Sequence, residues 1–203
     1  MTKAKPSARK RRGWQRGLPV LTAQGVTLRG LRRSDAPSLL AHLSKPSVLR
    51  YIDPCPNSVE GFRRFIAWTH DRRTAGRHAC FGIIPSGQTT PVGIVQVWPI
   101  ASGFQIAEWG FALSDLHWGT GLFVSSAHLM FDFAFGTLAT TRLEARAIVD
   151  NGRGNGVLRK LGASREGVLR GSSRDGEVLA DHVMWSILSH EGTALRYGRR
   201  KAG

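Results

Sequence analysis

Between an alternating apolar segment that ends near Leu113 and a long apolar run that starts at Leu122, the chain reads Leu116-His117-Trp118-Gly119-Thr120-Gly121. Two glycines one residue apart let the backbone turn so tightly that several amide N–H groups converge, and the following helix adds the partial positive charge of its N-terminus. This reads as a strand, a tight anion-binding corner and a helix, with a pyrophosphate as the natural guest and an ordinary strand-to-helix loop as the alternative. Two common folds with such a corner do not fit. A dinucleotide fingerprint needs a third small residue where Val124 stands, and a phosphate loop needs a Gly-Lys-Ser/Thr sequence that is absent.

The flanking pattern extends this unit. Val26 to Arg32 alternates as a first strand, and Ser34-Asp35 can cap a short helix that ends near Ser44. A proline-rich loop, Lys45 to Asn57, is placed as a substrate rim. From Ser58 the spacing of Phe62, Phe65 and Ile66 predicts an amphipathic helix that ends at Gly76, with Trp68 at the margin of its apolar side. Three antiparallel strands follow at Ala79–Ile84, Pro91–Trp98 and Phe104–Leu113. A buried helix over Leu122–Leu138, a strand over Arg142–Ile148 and a short helix within Asn151–Gly162 come next, and two strands close the order at Ser164–Leu169 and Val178–Leu188 around an Arg174-Asp175-Gly176 hairpin. The expected fold class is mixed α/β with a mostly antiparallel sheet.

The chain has 203 residues, which suits one well-filled core. Its net charge of +15 suggests nucleic acid until the charges are located. Residues 1–17 and 193–203 hold eleven basic residues and no acid, which leaves a net of +4 between them. The organisation expected is a disordered basic arm (1–17), one folded domain (18–192) and a basic tail (193–203). Such arms suit contact with RNA or the ribosome, and an acid-free, Arg-rich start also resembles a transit peptide in composition. Cys55 and Cys80 form neither a zinc motif nor a disulfide framework, the seven histidines lack ligand spacing, and no apolar stretch reaches membrane-span length. A cytoplasmic protein without a metal or membrane partner is expected, monomeric or homodimeric.

Several runs taken together carry a family resemblance. Ala107-Glu108-Trp109-Gly110-Phe111, Trp118-Gly119-Thr120-Gly121, Asp150-Asn151, Leu158-Arg159-Lys160-Leu161-Gly162-Ala163, Arg165-Glu166-Gly167-Val168-Leu169-Arg170 and Asp181-His182-Val183-Met184-Trp185-Ser186-Ile187-Leu188 together resemble the GNAT acetyltransferase superfamily. The branch most similar contains ribosomal-protein N-terminal alanine acetyltransferases. The resemblance spans about residues 25–190 and implies acetyl-CoA as donor and an amine as acceptor, with direct attack in a ternary complex.

The same resemblance implies the site residues. The pyrophosphate belongs on the amides of Trp118, Gly119, Thr120, Gly121, Leu122 and Phe123, and the pantetheine arm along the strand ending at Leu113. Asn151 stands at a position that contacts the cofactor arm, and it equally suits a helix cap. Glu108 is the candidate general base, with an ion pair to an arginine of the second helix as the alternative. Phe123 stands where the family usually has Gly or Ala, and Gly154 where this branch often has Ser. No residue is assigned as the acid for the departing thiolate. Asp181, His182 and Ser173 are possible groove residues. Two other readings remain: a CoA-binding module with weakened catalysis, and a ribosome- or RNA-associated protein that works through its basic arms.

Overall fold

A computed structural model describes residues 13–191 except 53, 102, 176 and 177. Its centre is one eight-stranded sheet. The strands are β1 (Leu21–Ala23), β2 (Val26–Gly30), β3 (Ala79–Pro85), β4 (Gly93–Pro99), β5 (Ile106–Leu113), β6 (Arg142–Ile148), β7 (Ser164–Asp175) and β8 (Val178–Leu188). They lie in the order β1-β2-β3-β4-β5-β6-β8-β7. All neighbours run antiparallel except β5 and β6, which are joined by the crossover through the Gly119/Gly121 corner. This is the mixed, mostly antiparallel α/β class expected.

Helices α1 (Ala36–Leu43), α2 (Pro46–Leu49), α3 (Val59–Thr74), α4 (Leu122–Phe133) and α5 (Gly152–Lys160) flank the sheet. Period-two alternation decides which side chains each layer receives. On one face, α1 and α3 bury Leu39, Leu43, Phe62 and Ile66 against Cys80, Ile94 and Ala112. On the other, α4 and α5 bury Met130, Phe131, Phe133 and Leu158 against Phe81, Val95, Trp109 and Ala145. Burying a Phe or Leu fully is worth roughly 1.5–3 kcal/mol each, so these two layers dominate the fold's stability. A bidentate pair between Arg29 and Asp35, at 2.7 and 2.9 Å, pins the start of α1 to β2.

Local chemistry explains most element ends. Ser58 caps α3 by accepting from Gly61 N at 3.1 Å, and Gly76 ends the helical region with φ +69°. Four details differ from the pattern-based expectation. The short β1 pairs with β2 around Gly25, which a three-residue strand is too short to signal. Part of the proline-rich loop forms α2, because Pro46 suits a first helical turn. The buried helix stops at Phe133 and continues as a wider turn over Ala134–Leu138. β7 runs on to Asp175, with irregular register between Leu169 and Ser173; the tip of its hairpin lies outside the described residues.

The ordered fold also starts earlier than residue 18. Gly13–Arg16 form a helical turn, and Trp14 is buried with its ring edge-on to Phe104 and Phe133, 5.5 and 6.4 Å between centroids. A single aromatic inside a basic stretch carries little weight in a composition argument, yet it fills a gap in the α4 layer. Residues 1–12 and 192–203, which hold most of the two basic arms, lie outside the described residues. Among the described residues no helix is long and apolar enough to cross a membrane.

Candidate active site

β5 and β6 pair only through Ile106, Ala107 and Glu108, opposite Arg142, Leu143 and Glu144. Beyond Glu108 the two strands part, so the edge of β5 from Trp109 to Leu113 has no strand partner on that side. A buried sheet edge with free amides is costly unless something fills it. The gap widens into a cavity of about 570 Å³ between Trp109–Leu113 on one side and Ala145–Ile148 on the other, with the Gly119/Gly121 corner at its mouth.

At that corner Gly119 and Gly121 have φ +77° and +84°, a left-handed conformation that other residues adopt only with strain. A Cβ at either position would meet nothing within 4 Å, so the corner faces open space. Gly121 caps α4, and the first bond of the helix runs from Ser125 N–H to Gly121 O at 3.1 Å. The amides of Leu122, Phe123 and Val124 therefore precede the helical ladder. Thr120 Oγ1 donates to His117 O at 2.9 Å and accepts from Leu122 N–H at 3.4 Å, which ties the turn together.

Two aromatic residues shape the corner. Phe123 packs inward, on Phe111 with centroids 4.0 Å apart and parallel to Trp109 at 6.3 Å. Its bulk lies against β5, which is how a large residue is accommodated where a small one is usual. Trp118 donates its indole N–H to Leu113 O at 3.0 Å, and Arg153 of α5 places its guanidinium 3.6 Å from the Trp118 ring centroid. Arg153 thus sets a cation beside the anion corner. Sequence spacing gave no sign of this, because the two residues meet only when α5 folds back over the turn.

Asn151 caps α5, its Oδ1 accepting from Gly154 N–H at 2.8 Å, and it also lines the cavity. A Cβ on Gly154 would lie 2.7 Å from Asn151 Nδ2, so a larger residue at 154 requires the Asn151 side chain to shift within its cap. Across the cavity mouth, α2 is held by Lys45 Nζ and Ser47 Oγ, each 2.8 Å from Asp115. Those two hydrogen bonds hold the Asp115 carboxyl below its ordinary pKa. Tyr51, from the loop placed as a rim, lines the cavity and donates to Asp150 O at 3.1 Å.

Glu108 sits where the strands part, on the sheet face that carries α1 and α3. Its Oε1 is 3.6 Å from Arg146 Nε, so an ion pair exists, though with an arginine of β6 and not of the second helix. Burial pushes the Glu108 pKa up, Arg146 pulls it down, and Glu144 across the sheet pushes it up again; the neighbouring Trp98 indole favours the charged form. The Trp98 ring lies over Gly110, where a Cβ would come within 3.2 Å of it. Of the groove candidates, His182 lines the cavity and hydrogen-bonds Ser172 Oγ at 2.9 Å. Asp181 is used structurally, accepting from Gly171 N–H at 2.7 Å. Ser173 is not among the residues lining this cavity. Among the described residues no group of three His, Cys, Asp or Glu could hold a metal ion.

The arrangement is a corner of free helix-start amides at the mouth of a slot with unpaired strand amides; Glu108, on the last paired rung, is half-buried beside the slot and is not among the residues lining it. A family model described as an acetyltransferase (GNAT) domain matches residues 26–164. The chain is 28% identical over 175 residues to an uncharacterized N-acetyltransferase, p20, of Bacillus licheniformis, covering 86% of this chain and 98% of that one. In structure it resembles Mycobacterium smegmatis RimJ in complex with CoA-disulfide, with a TM-score of 0.77, 19% identity and coverage of 89% and 92%. It also resembles the ribosomal-protein-S5-alanine acetyltransferase of Vibrio fischeri, with a TM-score of 0.75, 17% identity and coverage of 84% and 97%.

Proposed function

Because the chain belongs to the GNAT acetyltransferase family, and so is an acyltransferase, we propose that it moves the acetyl group of acetyl-CoA to a primary amine by direct attack in a ternary complex. The observation that carries this reading is the parting of β5 from β6 immediately after Glu108, with the Gly119/Gly121 corner at the open end of the same slot. The amides of Gly119 to Phe123 hold the pyrophosphate, and Arg153 adds positive charge beside it. The unpaired edge of Trp109–Leu113 and the side of Asn151 receive the pantetheine arm. Acetyl-CoA supplies an activated thioester carbonyl, and strand amides in the slot face the oxygen on which negative charge grows.

Glu108 takes the proton from the attacking amine, directly or through one water. A primary amine is mostly protonated at neutral pH, so an acceptor for that proton is needed. Burial raises the Glu108 pKa and thereby its basicity, while Arg146 and Trp98 keep the charged form accessible. The leaving thiolate has a conjugate-acid pKa of roughly 8 to 9, so no dedicated acid is required. The acceptor class that fits is a peptide or protein N-terminus or a small amine. The likeness in fold to an enzyme named for acting on a ribosomal protein's alanine supports the first.

Calorimetric titration with acetyl-CoA, followed by CoA-thiol release across an amine panel, tests the reading. Binding with amine-dependent release is expected, and a drop of at least about a hundredfold in turnover for Glu108→Gln. Absence of acetyl-CoA binding, or of release with every amine, would overturn it.

A further inference from the structure

A second cavity, of about 840 Å³, lies beside the first on the α1/α3 face of the sheet. It is bounded by the C-terminal half of α3, by His78 just ahead of β3, and by β4. Gln96 and Trp98 line both cavities. In register Trp98 faces Glu108 and Gln96 faces Gly110, so the Trp98 indole is the wall between the carboxylate and the second space.

The chemistry of this space is unlike that of the slot. Its aromatic wall is continuous: Phe65 stacks on Trp68 with centroids 6.2 Å apart, Trp68 lies 5.0 Å from His78, and His78 lies 6.1 Å from Trp98. Trp68 remains 45% exposed, a large flat surface left open to solvent. Arg72 sets its guanidinium 5.6 Å from the Trp68 ring centroid, and Arg77 adds a second cation. Among the described residues no carboxylate lines the space. His78 is 4% exposed, and its Nδ1 is a buried polar atom with no hydrogen-bond partner.

Such walls discriminate. A polyamine or aminoglycoside would bring cations against two guanidiniums with no acid to meet them. A planar ring would stack on Trp68 or Trp98, and an anionic group beside it would meet Arg72 and Arg77. We propose that this second cavity receives the distal part of the amine acceptor, and that this part is an aromatic ring bearing or adjoining an anionic group. The acceptor's amine lies at Glu108 and its ring lies beyond Trp98. This rests on the amine-acetylation reading and narrows its substrate class.

The test uses the whole protein and amines that share one aminoethyl head but differ in tail: phenyl, carboxyphenyl, carboxyalkyl and aminoalkyl. A parallel set of short peptides with an N-terminal alanine carries Phe-Glu, Leu-Glu or Leu-Lys after it, which separates small-molecule from peptide sources of the same chemistry. The carboxyphenyl amine or the Phe-Glu peptide is expected to exceed its cationic counterpart in kcat/KM by about a hundredfold. Trp68→Ala and Arg72→Gln should each cut that ratio about tenfold, whereas a merely structural role would lower both acceptors alike and leave it unchanged. A flat or reversed preference, or a ratio untouched by both variants, overturns the proposal. If no amine is acetylated, the reaction reading fails separately, and calorimetric titration of the same amines still decides the cavity's ligand. Saturable binding of the carboxyphenyl tail that Trp68→Ala or Arg72→Gln weakens supports the site, and no binding overturns it.

Discussion

Glu108 closes the last rung between β5 and β6, opposite Glu144, and Arg146, two residues further along β6, reaches back to it with Nε 3.6 Å from Glu108 Oε1. The arginine lowers a carboxyl pKa that burial raises, so it sets the pH at which Glu108 becomes a base. Removing the cation in Arg146→Met lets the Glu108 pKa rise, and the acidic limb of kcat/KM is expected to move to higher pH. Arg146→Lys keeps a charge and should restore much of the original limb. In Glu108→Gln that limb should follow only the acceptor amine's own ionisation. A pH–rate profile with saturating acetyl-CoA reads all three, and an acidic limb that stays put in Arg146→Met would remove the pair from the mechanism.

The corner glycines allow a separate test of cofactor binding. Gly121 has φ +84° and open space where a Cβ would lie, so Gly121→Ala meets no collision but must hold a left-handed conformation, at a cost of roughly 1–2 kcal/mol. The added methyl projects from the cradle itself. KM for acetyl-CoA is expected to rise about tenfold while the urea midpoint falls only by the conformational cost. An unchanged KM beside the same loss of stability would show that the corner does not hold the cofactor.

What the sequence disclosed follows the range of the interactions concerned. The strand Arg142–Ile148, the helix that starts after Ser58 and the Gly119/Gly121 turn are local events set by alternation, apolar spacing and backbone freedom, and each lies where the pattern places it. Glu108 was legible as a carboxylate on the strand ahead of the corner, but its partner was not, because Arg146 reaches it only through the parallel pairing of β5 and β6. The same holds for Arg153 over Trp118 and for the aromatic run from Trp68 through His78 to Trp98. Trp68 read as the margin of an amphipathic helix, and only tertiary packing turns that margin into a cavity wall.

His78 makes the fold sensitive to acid. Its imidazole is pushed down to about 4, chiefly by burial and further by Arg72, with the neighbouring Gln96 amide opposing; an unfolded histidine titrates near 6.5. Between those values the unfolded chain binds a proton that the folded chain refuses. The stability gained by keeping His78 neutral is therefore present above pH 6.5 and lost as pH falls through about 4. The slope reaches at most about 1.4 kcal/mol per pH unit. Urea unfolding at pH 7 and pH 5 should show a drop in the wild type about 2 kcal/mol larger than in His78→Asn, whose side chain does not titrate. Equal drops in the two proteins would show that the buried imidazole is not the sensor.

Trp14 decides where the folded unit begins. It lies in a segment whose composition favours a solvated arm, yet its ring is 6% exposed and edge-on to Phe104 and Phe133, beneath the end of α4. Arg73 at the end of α3 donates to Gln15 O at 3.3 Å, so the same turn also touches the opposite layer. Replacing a buried Trp by Ala typically costs about 3–5 kcal/mol, which for a domain of this size corresponds to roughly 6–20 °C in Tm. Trp14→Ala is expected to show that loss, Trp14→Phe to recover part of it, and deletion of residues 1–17 to match Trp14→Ala. If the deletion is neutral, the ring contributes nothing to the core and the unit begins at residue 18; if the deletion costs much more than Trp14→Ala, the arm stabilises the domain through contacts other than Trp14.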